Sequence, residues 1–108
     1  MLCALLAGCS QGPSADLQYI KQARSIGAEW ALVNEQANKG SLTPIYVHSM
    51  REWLHQDLQS AQSSLTQAQS PYGQEIEALL AEQPEAEPGR LRAHVERLKQ
   101  IEDGLESA

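Results

Sequence analysis

The apolar residues of this chain recur at intervals of three and four, and this spacing restricts its possible folds more than any other feature. It places apolar side chains on one face of an α-helix, whereas a half-buried strand would alternate at every second residue. The pattern covers residues 16–38, 44–68 and 90–105. Strand signals are absent from the sequence. We therefore predict an all-α fold, a small antiparallel bundle of three or four helices.

Capping residues indicate where the first helix ends and where the second begins. Gly40 can adopt the left-handed conformation that closes the first helix, which Ser14 or Asp16 can cap at its start. Thr43 and Pro44 predict the start of the second helix, because proline has no N–H to leave unpaired there. One apolar face of the second helix comprises Val47, Met50, Leu54, Leu58, Ala61, Leu65 and Ala68. We expect the two helices to be antiparallel neighbours, with Trp30 and Trp53 in their shared core.

Prolines and glycines divide the second half of the chain. Pro71 predicts a break or a sharp kink, because its ring disfavours a helical residue before it. A short helix is expected over residues 74–83, followed by an exposed loop over residues 83–89, which contain two prolines and one glycine. A closing helix is expected from Arg90, with an apolar stripe of Leu91, Val95, Leu98, Ile101 and Leu105.

The composition is that of one small acidic domain. Of the 108 residues, 42% are hydrophobic, and 14 Asp and Glu against 8 Lys and Arg give a net charge of −6. About 100 residues are enough to bury a core without disulfides. Nucleic acids and anionic lipids both attract clustered Lys and Arg, so we predict no nucleic-acid partner and no electrostatic docking on a membrane.

The N-terminal residues carry a short motif. Leu6-Ala7-Gly8-Cys9 ends an apolar run and precedes the small polar stretch 10–14. This grouping resembles the lipobox of bacterial lipoproteins. The resemblance implies export, acylation of the Cys9 sulfur and cleavage just before Cys9. Because no Lys or Arg precedes Lys21 and the apolar run is short for a signal peptide, we expect the true start codon to lie upstream.

The lipobox resemblance also implies a domain organisation. Residues 1–8 are then a signal-peptide remnant, residues 9–15 a lipidated cysteine with a short tether, and residues 16–108 a single helical domain. The mature domain has no other cysteine, because Cys3 leaves with the signal, and this excludes internal disulfides and zinc-thiolate sites. Ser10 after the cysteine resembles the outer-membrane class, so we expect an outer-membrane lipoprotein facing the periplasm. Several acyl chains would hold it there.

A set of potential metal ligands lies on the second helix. His48, Glu52 and His55 are spaced by four and three, and two imidazoles with a carboxylate suit zinc or a similar ion. The helical wheel places them nearly opposite Met50 and Leu54, so a solvated helix face explains them more simply. We therefore assign no metal and no cofactor, and retain these three residues as weak candidates.

Catalytic signatures are missing from the sequence. His94 lies beside the apolar stripe of the closing helix, and no second titratable group is placed by sequence to pair with it. Haem held by Met50 or His94 is a further possibility, but Met50 is more simply a core residue. No phosphate loop, nucleophile elbow or paired-histidine zinc motif is present. We predict that the protein is not an enzyme.

Three hypotheses about function follow. The first is an accessory lipoprotein that presents a helical face to a protein partner in the cell envelope. The second is a protein that binds a metal or small ligand on the His48, Glu52 and His55 face. The third is a hydrolase with an unrecognised site, because catalytic triads assemble from residues that are distant in sequence.

Overall fold

The computed structural model describes residues 12–107 and contains four helices in that range, with no strand. The helices are α1 (Pro13–Asn38), α2 (Pro44–Ser63), α3 (Pro71–Leu80) and α4 (Pro88–Ser107). They pack against one another, which confirms the predicted all-α bundle. The lipobox and Cys9 lie outside the described residues. No helix within residues 12–107 is long and apolar enough to cross a bilayer.

Each of the four helices begins with a proline. Thr43 caps α2 as predicted, and its side chain accepts a hydrogen bond from the backbone N–H of Tyr46. Pro71 does not kink a longer helix but starts α3, with Ser70 as its cap. The fixed φ of proline suits the first helical turn, where its missing N–H costs nothing. The last two helices, predicted to begin at residues 74 and 90, therefore begin at the prolines that precede those positions, Pro71 and Pro88.

The central helix is α1, which packs against the other three. Two of its ion pairs with α4 join Arg24 to Glu102 at 2.6 Å and Glu35 to Arg92 at 2.7 Å, in opposite order along the two helices. Contacts with α2 have the same reversed order, so both neighbours are antiparallel to α1. At Gly27 a β-carbon would lie 2.8 Å from Val95 Cγ2, so glycine permits the close approach of α1 and α4.

The core is formed by the predicted apolar faces, with one exception among the tryptophans. Its largest members are Ile20, Trp30, Leu54, Leu58, Tyr72, Ile76, Leu79, Leu91 and Leu98. Trp30 is buried, as expected, but Trp53 is 55% exposed, so its predicted place in the core is wrong. Successive residues on a helix differ by about 100°, and Leu54 faces the core. The Trp53 side chain therefore projects from the side of α2, about 100° away from the core-facing Leu54.

The buried carboxylate of Asp16 determines where α2 ends. It accepts hydrogen bonds from the backbone N–H groups of Thr66 and Gln67 at 2.8 and 3.1 Å, and from the Tyr72 hydroxyl at 2.6 Å. In a longer α2 those two amides would bond to carbonyls four residues earlier. The helix therefore ends at Ser63 and does not reach Ala68, which is an exposed loop residue.

Asp16 lies inside α1, which begins three residues earlier than the predicted boundary at residue 16. Gly12 takes the capping position, with φ of 98° and no side-chain cap, so neither Ser14 nor Asp16 caps the helix. The other end of α1 agrees with the sequence, since Gly40 closes it with φ of 72°. Residues 13–15 of the segment predicted as a tether belong to the helix.

The environment of Asp16 shifts its acidity. Burial raises the pKa of the carboxyl, but the hydrogen bonds from Tyr72, Thr66 and Gln67 outweigh burial and leave the pKa below its ordinary value of 3.8. Burial and the bond to Asp16 raise the pKa of Tyr72 to about 12. The Tyr72 hydroxyl thus keeps its proton, and remains a donor, over the whole range in which Asp16 titrates.

We predict that Asp16→Asn lowers the free energy of unfolding at pH 7 by about 2 kcal/mol, because the amide leaves buried donors without an acceptor. Since the pKa of Asp16 is depressed by folding, its contribution is present above pH 4 and is lost as the pH falls below that value. The difference in unfolding free energy between the wild type and Asp16→Asn, measured by urea denaturation, should be smaller at pH 3 than at pH 7. Asp57→Asn, at a half-buried aspartate of α2, is the control. An equal difference at both pH values would contradict this account.

Candidate functional site

A cleft of about 410 Å³ lies between α2 and residues 81–87, the α3–α4 loop. We call it the α2 cleft. The side formed by α2 carries His48, Arg51, Glu52 and His55. Its volume falls within the range of about 300–1,000 Å³ that is usual for small-ligand sites. The residues chosen from sequence as weak metal candidates therefore lie in one concave site.

The opposite side of the α2 cleft comes from the α3–α4 loop. Glu82, Pro84 and Glu85 line it, and Trp30 of α1 completes the lining. Sequence reasoning missed these residues and Arg51 as members of the site. The loop residues and Trp30 belong to elements that no local spacing signal links to α2, whereas Arg51, three residues after His48 and four before His55, shares their face of the helix. Only the packing of the loop over α1 brings these elements together.

The α3–α4 loop is held in place by two side chains of α1. The Trp30 indole N–H donates to the Pro84 carbonyl at 2.8 Å, and the Asn34 amide donates to the carbonyls of Pro84 and Ala86 at 3.0 and 2.8 Å. The Asn34 oxygen in turn accepts from Arg51 Nε at 2.8 Å. Asn34 is only 1% exposed, so it joins α1, α2 and the loop from within the core. No local sequence pattern predicts this role of Asn34.

His48, Glu52 and His55 do not form a closed ligand set. Their ligand atoms are not brought within 4.8 Å of one another; among residues 12–107 only Glu102, Asp103 and Glu106 meet that distance. His48 and Glu52 are exposed and His55 is half-buried. The two histidines are seven residues apart, or about 10.5 Å along the helix. Glu52 with one neighbouring histidine is therefore the more compact chelating pair.

A second polar cluster surrounds His94 next to the cleft. His94 is buried, with Nδ1 2.5 Å from a Glu75 oxygen and Nε2 2.8 Å from a Glu82 oxygen. The sequence placed no titratable group beside His94, but in the structure α3 and the loop after it supply two. Each ring nitrogen thus has a carboxylate partner from a different element, and Arg97 Nη2 also lies 3.2 Å from Nδ1.

Two arginines complete this cluster at the surface. Arg90 makes two hydrogen bonds to Glu82, at 3.1 and 3.0 Å, and Arg97 Nε makes one to Glu75 at 3.0 Å. Arg90 first, and His94 second, lower the pKa of Glu82. The Glu82 carboxylate is thus engaged in the fold, although it lines the α2 cleft.

The remaining carboxylates of the α2 cleft belong to Glu52 and Glu85. Among residues 12–107 neither of them is in an ion pair. Together with two imidazoles and the Arg51 guanidinium, they give the cleft hydrogen-bonding groups of both signs. Such a site has the chemistry to hold a metal cation or a small polar molecule.

Comparison with known proteins assigns no family to this chain. No family model, no curated protein and no solved structure matches this chain. What the α2 cleft binds must therefore be argued from its own residues.

We predict that His94→Ala lowers the free energy of unfolding by about 3 kcal/mol, because it leaves the buried ends of Glu75 and Glu82 without their common partner. His48→Ala is the matched control, because His48 is exposed, and it should change the value by less than about 0.5 kcal/mol. Urea denaturation followed by tryptophan fluorescence measures both. Equal effects of the two substitutions would refute the structural role of His94.

Proposed function

We propose that the protein is a bacterial lipoprotein anchored through Cys9, and that its helical body binds a protein partner in the cell envelope. The lipobox-like Leu6-Ala7-Gly8-Cys9 supports the anchor. The described fold supports it further, since the chain is already hydrogen-bonded to the bundle at Gly12. A folded body that begins so close to the acylated cysteine is what a short-tethered lipoprotein requires.

The observation that carries the binding function is the exposure of two aromatic side chains on α2. Tyr46 is 49% and Trp53 55% exposed, and a spacing of seven residues puts them on one side of the helix. We call this pair the α2 aromatic surface. Tyrosine and tryptophan are enriched among the residues that contribute most to protein–protein binding, so two exposed aromatic rings on one side of a helix suit contact with a partner. The proposed activity is therefore binding, without catalysis.

The proposed location is the outer membrane, with the helical body in the periplasm. Ser10 after the acylated cysteine supports this sorting. Two or three acyl chains on Cys9 suffice for stable attachment, whereas one chain does not. The net charge of −6 argues against any contribution from a basic surface.

The second candidate function is binding of a metal ion or small ligand in the α2 cleft. The specific observation in its favour is that His48, Glu52 and His55 line one cleft with Glu85 opposite them. In this alternative a divalent cation is held by Glu52 with one of the histidines, and Glu85 completes the site from the loop.

Mass spectrometry of the protein purified from bacterial membranes tests the anchor. We expect a chain that begins at Cys9 and carries fatty acids, because the signal is removed at the lipobox. Cys9→Ser should abolish acylation and release the protein from the membrane fraction. An unacylated wild-type protein that retains Met1 would refute the lipoprotein assignment.

One single and one double variant distinguish binding of a protein partner from binding of a metal ion or small ligand. A photo-cross-linking residue at position 46 in living cells should capture a defined protein. Trp53→Ala should reduce that capture at least tenfold, because truncating a hot-spot aromatic at an interface costs about 2 kcal/mol or more. His48→Ala with His55→Ala should leave it unchanged. Calorimetry with zinc tests the alternative: heat at micromolar zinc that this double variant removes would favour the α2 cleft over the α2 aromatic surface.

A further inference from the structure

One end of the bundle lacks exposed charge, although the protein as a whole is acidic. Residues 12–20 and 58–74 contain no Lys, Arg or Glu, and their one Asp is Asp16, which is fully buried. The exposed side chains there are Pro13, Ser14, Gln18, Gln59, Ser60, Ser63, Ser64, Thr66, Gln67, Ala68, Gln69, Pro71 and Gln74. We call these two segments together the uncharged end.

The two segments form one continuous surface. The Gly12 N–H donates to Thr66 Oγ1 at 3.1 Å, and Asp16 accepts from the amides of Thr66 and Gln67. These bonds join the first turn of α1 to the loop between α2 and α3. The opposite end of the bundle differs, because the α3–α4 loop and its neighbours carry Glu82, Glu85 and several other charges. The absence of exposed charge is thus a property of one end.

The charged surface begins at the borders of these two segments, at Lys21, Asp57 and Glu75, and not at the first turn of α1. The first charged side chain of α1 after Asp16 is Lys21, which pairs with Glu106 of α4 at 2.8 Å. Lys21 is eight residues after Pro13, which is about 12 Å along the helix. That distance exceeds the screening length of about 8 Å at physiological salt. A surface in contact with the first turn of α1 would therefore experience little of the charge of this ion pair.

The tether fixes which surface this end meets. Ser10 and Gln11 separate Cys9 from Gly12, and this piece of chain spans at most about 11 Å when fully extended. Gly12 belongs to the uncharged end through its bond to Thr66. If Cys9 carries acyl chains, as the proposed function states, the lipid headgroups lie within this distance of the uncharged end.

We propose that the uncharged end is a membrane-facing surface, which rests on the lipid headgroups while α1 points away from the bilayer. An acidic body held this close to an anionic leaflet would otherwise be repelled from it, and charged side chains pressed against the headgroups would lose hydration. Glutamine, serine and threonine side chains can exchange hydrogen bonds between water and headgroups. The 26 residues of α1 then extend about 39 Å from this surface and carry the α3–α4 loop away from the membrane.

Spin labels at the two ends of the bundle test this orientation. The natively acylated protein is purified with Ala68→Cys in the uncharged end or with Ser41→Cys at the opposite end, since Cys9 is blocked by acylation. Each form is labelled with a nitroxide and reconstituted in vesicles of zwitterionic lipid with one third phosphatidylglycerol. We expect the label at position 68 to be at least threefold less accessible to a water-soluble nickel complex than the label at position 41.

Added charge provides a matched comparison. Gln18→Glu with Gln69→Glu places two carboxylates in the uncharged end, and Ser41→Glu with Gln83→Glu places two at the other end. All four positions are exposed, and both variants have the same net charge. With the label at position 68, the first pair should shift the balance from the seated to the lifted orientation by about fivefold per carboxylate on anionic vesicles. The second pair should have no such effect.

The result that overturns the proposal is distinct from failure of the lipoprotein assignment. Acylated protein that sediments with vesicles, but whose labels at positions 68 and 41 are equally accessible, overturns the membrane-facing surface and leaves the anchor intact. Equal effects of the two charge pairs would overturn it as well. Protein that carries no fatty acid and does not sediment refutes the anchor itself.

Discussion

The buried carboxylate of Asp16 is the interaction on which the arrangement of this bundle depends. Its oxygens hold two amides of the loop after α2 and the hydroxyl of Tyr72, and so join three helices at one end. A buried charge is tolerable only when hydrogen bonds replace its hydration, and here they do so well enough to lower the pKa. The same contacts end α2 early and remove the only ionised group of that end from its surface.

The parts of the fold that the sequence predicted are those set by local chemistry. Thr43 with Pro44 started α2 and Gly40 closed α1, because capping and left-handed conformations depend on the residues themselves. The end of α2 was predicted wrongly, because the acceptor that competes for its amides is about fifty residues away in the chain. The exposure of Trp53 escaped prediction for a related reason. Apolar character alone does not say which of two adjacent large residues faces the core.

In the candidate site, too, the sequence predicted what local spacing determines and missed what depends on contacts between elements. The spacing of His48, Glu52 and His55 put them on one helix face, and the structure places that face in a cleft. The facing residues Pro84 and Glu85 come from a loop that composition marked only as exposed, and Glu82 comes from a segment that was predicted to be helical but follows the end of α3 at Leu80. The two carboxylates around His94 were equally invisible, because they lie 19 and 12 residues away on separate elements. Contacts between elements, rather than patterns within them, decide what each polar group can do.

The attachment of the α3–α4 loop to Trp30 and Asn34 has a consequence for any molecule that enters the α2 cleft. The side chains that fix the loop are themselves core residues, so the ordering of this backbone is completed when the protein folds. A ligand therefore binds against a preorganised loop, and little binding free energy is lost to ordering that loop. The same coupling makes shape selectivity at the cleft sensitive to interior substitutions that never touch the ligand.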